Sequence, residues 1–212
     1  LEYLYVEGLI GGDFADDRTR NNAFAKMIRL MQAASNPAVL LKAHASPDND
    51  LNLPDEMLEM IRLFSKTEAP AKFKVAKNIV EHCLESGEKI IVWTHFVSTL
   101  ETMQRYLETA GMNVKTLYGG TPTGEYCEED EATQHTREAI IREFNDPKSS
   151  LMVVVANPAA VAESISLHHA CHTALYLERG FNAAQYLQTR DRIHRYGIGE
   201  GIVATYYKLA SR

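Results

Sequence analysis

The stretch "AAQYLQTRDRIHRYG", from Ala183 to Gly197, gathers Gln188, Arg192 and Arg195. On a helix turning about 100° per residue, Gln188 sits at 0°, Arg192 near about 40° and Arg195 near about −20°. Tyr186 and Ile193 fall on the opposite side. Arginine stays charged, and its planar fork matches the oxygens of a phosphate. The stripe therefore suits an anion. It equally suits a solvated helix face on which Asp191 pairs with Arg195 at i,i+4, and the helix alone does not decide.

Other chemistry-bearing residues are less organised. His168, His169, Cys171 and His172 cluster in "SLHHACHTALYL", yet no second ligand pair stands at structural-zinc spacing. The cluster also runs straight into an apolar strand, so turn and core packing explain it. "PDEML", 54–58, has the acids of an ATPase box without the buried strand that should precede it; Pro and two acids make an ordinary first helical turn. Cys127 and His135 share a long acidic loop and make no credible nucleophilic pair. No G-x-x-x-x-G-K-[ST] loop, G-x-S-x-G elbow or H-E-x-x-H pair occurs. The chain shows no catalytic centre of its own.

The elements that must position the stripe read as α/β. "AKFKVAKNIVEHCLESG" is an amphipathic helix closing at Gly87. "KIIVWT" (89–94), "LMVVVA" (151–156) and "TALYLE" (173–178) are short, unbroken apolar runs. Such runs are strands buried on both faces, as in a parallel sheet. "NVKTLYGG" and "IVATYYKL" (202–209) add two more strands. Helices fall in "VSTLETMQRYLETAG", "TREAIIREFND" and 182–195. The expected architecture is a doubly wound, mainly parallel sheet with helices on both faces. Residues 1–68 form a helical lead-in, with Pro37 stopping its main helix, and 69–212 form the α/β lobe. In such sheets ligands gather at the carboxyl ends of the strands. Those ends hold Thr94–Phe96, Gly119–Thr121, Asn157–Ala160 and Glu178–Asn182.

The bulk properties narrow the partners. The 212 residues are 45% hydrophobic and 24% charged, ordinary for a globular domain. The net charge of −6 is unusual for a domain that grips nucleic acid unaided, so any such grip relies on local cations, backbone and hydroxyls. Three scattered cysteines fit a reducing compartment. No apolar run approaches a membrane span, and no membrane partner is expected. The opening "LEYLYVEGLIGG" carries no signal peptide and reads as the middle of something longer.

Taken in order, six segments across roughly residues 25–209 resemble the second RecA-like lobe of a superfamily 2 ATPase of the SNF2-like branch. "RLMQAASNPAVLL" resembles the inter-lobe segment, and "AKFKVAKNIV" the lead-in helix. "KIIVWTHFVSTLETMQRYL" is similar to motif IV. "LYGGTP" followed by "REAIIREFN" resembles the Gly turn and its helix. "AESISLHHACHTALYLE" resembles motif V, with Ala162 and Ser164 where the family has glycines. "RGFNAAQYLQTRDRIHRYG" resembles motif VI, with Phe181 for Trp before it and Glu178 in place of Asp.

The resemblance implies ATP with Mg²⁺, held mainly by an N-terminal RecA-like lobe of the same protein. This chain would insert Arg192 and Arg195 at the γ-phosphate, with Gln188 orienting neighbouring groups. Phosphates of duplex DNA, rather than RNA, would meet Thr94, His95, Gly120, Thr121, Arg137, Asn157 and Ser164. The expected setting is a bacterial cytoplasm, at the nucleoid when on DNA. The competing reading is a RecA-like scaffold without motor function.

Overall fold

A computed structural model describes residues 17–46, 51, 53–124, 135–161, 165–194 and 201–211. The chain divides into two units, one reaching Ala71 and one spanning Lys72–Ala210. The first unit is helical: α1 Asp17–Ser35, α2 Val39–His44 and α3 Asp55–Thr67. Its own small core joins Leu40, Leu51, Leu53, Leu58 and Ile61.

The second unit holds the sheet. In chain order it contains α4 Ala71–Glu85, β1 Lys89–Trp93, α5 Val97–Thr109, β2 Val114–Leu117 and α6 Arg137–Asn145. Then come β3 Val153–Ala156, α7 Pro158–Val161, β4 Cys171–Tyr176, α8 Ala183–Arg190 and β5 Thr205–Lys208. The five strands lie in the order β2-β3-β1-β4-β5, and every pairing is parallel.

Alternation of side chains divides β1 between two cores. Ile90 and Val92 face one side, with Phe73, Ala76 and Val80 of α4 and Leu100, Met103 and Leu107 of α5. Ile91 and Trp93 face the other, with Ile140 and Phe144 of α6 and with Ile193. Both faces of β1 are thus sealed, which explains its unbroken apolar sequence. The expected doubly wound α/β fold is what the structure shows.

Local chemistry sets the ends of the helices. Gly87 takes φ +70° after α4, and Glu88 N–H returns to Cys83 O, a left-handed helix stop. Thr136 caps α6 by accepting from Ala139 N–H. At the amino end of the sheet, buried Lys89 donates to Phe144 O at 2.6 Å and Asp146 O at 2.8 Å, pinning β1 to the last turn of α6.

The 182–195 expectation needs correction. The helix ends at Arg190. Arg192 N–H bonds Thr189 O and Ile193 N–H bonds Arg190 O, so the chain tightens to a three-residue turn. The cause is tertiary: Ile193 is fully buried, and the Arg192 carbonyl accepts from Leu167 N–H at 3.1 Å.

Candidate functional site

From β1 the chain turns toward the β2 edge, and from β4 toward the β5 edge. Adjacent strands leaving in opposite directions open a crevice at their carboxyl ends, the usual ligand position in such sheets. The ladder closes flush there. Thr94 N–H bonds Ala156 O, Leu177 N–H bonds Trp93 O, and Asn157 N–H bonds Leu117 O at 2.8 Å.

Side chains then tie the strand ends together. Glu178, buried just past β4, accepts from Thr94 Oγ1 at 2.5 Å and from His95 N–H at 2.8 Å through the same oxygen, Oε1. A hydrogen bond to a carboxylate is stronger than a neutral one, so β1 and β4 are firmly joined. Asn157 Nδ2 donates to His95 O at 2.9 Å, and Asn157 Oδ1 takes Ala159 N–H. His95 Nε2 accepts Gly180 N–H at 2.9 Å. A backbone N–H only donates, so the ring is neutral, with its proton on Nδ1. Burial lowers the His95 pKa, which favours the same neutral form.

The expected phosphate contacts are placed as follows. Thr94 is fully buried, and its hydroxyl is committed to Glu178. Asn157 is buried and likewise committed. Thr121 Oγ1 closes its own turn, accepting from Tyr118 N–H and donating to Thr116 O. Gly120 packs under the Tyr118 ring, where a Cβ would lie 2.6 Å from Cε2. Next to it, a Cβ at Gly119 would meet open space. Arg137, half-buried at the start of α6, reaches Tyr118 O at 3.4 Å. Ser164 lies outside the described residues. The structure therefore brings Thr94, His95 and Asn157 into one internal network, and gathers Gly120, Thr121 and Arg137 around the turn after β2.

Of the opening stripe, Gln188 is exposed on α8. Arg192 is half-buried, and its Nη1 donates to Ile165 O at 3.0 Å. Arg195 lies outside the described residues. Asn182 Oδ1 caps α8 by accepting Gln185 N–H at 3.0 Å. The inner side of α8 is fixed by Thr189, which donates to Tyr186 O while meeting the Tyr176 hydroxyl at 3.0 Å. Burial raises the Tyr176 pKa, so that phenol stays protonated. The Arg179 guanidinium lies 4.4 Å from the Tyr186 ring centroid, a cation–π contact beside the same helix.

Gly180 is the residue that sequence reasoning missed. It looks like one more loop glycine, and only the imidazole above it reveals a steric reason. The role of Glu178 was half visible, as an acid directly following a buried apolar run.

Residues 71–197 match the family described as "Helicase conserved C-terminal domain". The chain is 26% identical over 202 residues to the SNF2 domain-containing protein CLASSY 3 of Arabidopsis thaliana, covering 92% of this chain and 13% of that protein. It is 28% identical over 153 residues to the chromatin remodeling factor mit1 of Schizosaccharomyces pombe, covering 72% of this chain and 10% of that one. The chain thus spans a small part of the length of these curated relatives. Among solved structures, the Sulfolobus solfataricus SWI2/SNF2 ATPase C-terminal domain aligns with a TM-score of 0.58 at 18% identity, covering 98% of this chain and 71% of that chain. The Sulfolobus solfataricus SWI2/SNF2 ATPase core in complex with dsDNA aligns at 0.61 and 18% identity, covering 98% and 36%. At that identity the likeness speaks for the fold. The matched stretch is more than half of the chain and contains the strand-end network and α8, and the chain therefore belongs to the helicase conserved C-terminal domain family, as the C-terminal lobe of an SNF2-like superfamily 2 ATPase.

Proposed function

We propose that this lobe closes over ATP held by a first RecA-like lobe of the same protein and drives stepwise movement along duplex DNA. Arg192 and Arg195 meet the γ-phosphate. Charge spreads over the phosphoryl oxygens in the transition state, and a positioned guanidinium stabilises it there. Gln188, exposed on α8, orients neighbouring groups at the lobe interface. The observation that carries the reading is the location of the Arg192 segment. It follows α8, whose cap lies two residues beyond the β1–β4 crevice link at Gly180.

Mg²⁺ belongs to the other lobe in this reading. Among the described residues, no three His, Cys, Asp or Glu side chains gather to hold a metal ion. No step on this chain is routed through the metal.

Among the described residues, the DNA contacts in this reading gather at the turn after β2. Backbone at Gly119 and Gly120 and the Arg137 guanidinium suit phosphates and carry no base sequence information. The solved neighbour whose core is described in complex with dsDNA supports duplex DNA as the track. Arg137→Ala should weaken binding evenly across DNA sequences and reduce the salt slope of log Kd by about 1. A sequence-dependent loss, or no loss, contradicts this placement. The 212-residue chain alone should hydrolyse no ATP, and turnover above background by it would overturn the two-lobe reading.

A further inference from the structure

His95 stands where three strand ends meet. Its N–H goes to Glu178 beyond β4, its carbonyl to Asn157 beyond β3, and its ring nitrogen to Gly180. Asn157 N–H in turn holds Leu117 O at the end of β2. Two residues past Gly180, Asn182 caps α8. His95 thus joins the rim that includes the turn after β2 through its backbone, and its ring rests on Gly180 at the entry to the helix that leads to Arg192.

The contact with Gly180 is steric as well as polar. A Cβ built on Gly180 lies 2.6 Å from His95 Cε1 and 2.9 Å from Nε2. Real Cβ atoms essentially never approach so closely. Among the described residues, the glycines with positive φ are Gly87, Gly111 and Gly201, and Gly180 is not one of them. Its backbone would accept alanine, so the ring, not the dihedral angle, demands glycine.

We propose that His95 is a positioning residue that couples the DNA-facing rim to α8 and the Arg192 segment through the Gly180 contact. Resting on the motor-lobe reading, it makes the His95–Gly180 pair a determinant of how strongly DNA stimulates ATP hydrolysis. A shift of about 1 Å at reacting groups is enough to cost about 10²-fold in rate, so even a small displacement passed from the ring to the start of α8 would register.

The test uses the intact protein with His95→Ala, His95→Gln, Gly180→Ala and the His95→Ala/Gly180→Ala pair. Melting temperature and ATP turnover are measured across a duplex DNA titration. Gln keeps an acceptor at the ring position, so His95→Gln should retain most of the stimulated rate, while His95→Ala and Gly180→Ala lower the maximal stimulated rate about tenfold or more. The double variant should melt no lower than His95→Ala alone, because the clash is gone. Additive melting losses overturn the steric pairing. A raised half-saturating DNA concentration with an unchanged maximal rate makes His95 a DNA contact and overturns the coupling. If the unmodified protein is folded and hydrolyses nothing, the motor reading itself fails and the coupling falls with it. The melting cycle still reports on the pairing, so the two failures are distinguishable.

Discussion

Individual residues divide into those that hold the site and those that act at its edge. Glu178, Thr94, Asn157 and His95 are joined to one another by hydrogen bonds. Residue type and spacing placed Thr94, His95 and Asn157 at strand ends correctly. They do not reveal whether a hydroxyl or amide is already committed inward, because the partner comes from a strand about 60–85 residues away. His95 has a pH consequence. Its folded pKa lies below the ordinary 6.5, because burial favours the neutral ring. As pH falls through 6.5 the unfolded chain takes up a proton that the folded chain resists, so stability is lost on acidification. The melting temperature should therefore fall more steeply between pH 7.5 and 5.5 for the unmodified protein than for His95→Gln. Equal slopes would show that His95 contributes nothing to the acid sensitivity. Arg192 makes a sharper demand. Arg192→Lys keeps the charge but loses the fork, so hydrolysis by the intact protein should fall about 10³-fold or more. Duplex DNA affinity should stay within about threefold, since phosphate contacts elsewhere supply it. Parallel loss of both would assign Arg192 to folding or to DNA.

At the scale of elements, hydrophobic pattern located every strand of the sheet. β1 was the plainest, since an apolar run with both neighbours covered has few other solutions. Ends were less visible. β4 begins at Cys171 rather than Thr173, because Cys171 packs at zero exposure against β1. α8 stops at Arg190 because burial of Ile193 and the Leu167–Arg192 bond outweigh helical continuation, and no local pattern encodes that competition. Substitutions at two positions test how α8 is held. Asn182→Ala removes the cap and should cost about 1 kcal/mol, while Asn182→Asp should cost little, as both acceptor and dipole complement remain. Ile193→Ala should cost about 3 kcal/mol, since the side chain is wholly enclosed. Denaturant unfolding checks both. A larger loss at Asn182 than at Ile193 would mean that the cap, not the buried anchor, holds this segment.

For the whole molecule, the doubly wound class followed from alternating strands and helices, but the strand order β2-β3-β1-β4-β5 did not. Order depends on which faces the connecting helices cover, and helix periodicity records an apolar side without naming its sheet face. The switch point between β1 and β4 exists only because of that order. In the function proposed above, the lobe is one half of a device whose other half holds the nucleotide. The central claim is that the Arg192–Arg195 segment completes an ATPase stimulated by DNA. The most direct measurement is the steady-state ATP turnover of the intact protein with and without duplex DNA, beside Arg192→Ala and Arg195→Ala. Hydrolysis should rise with DNA, and either substitution should abolish it while DNA is still bound. Hydrolysis and stimulation that survive both substitutions, or no hydrolysis by the folded unmodified protein, would contradict it.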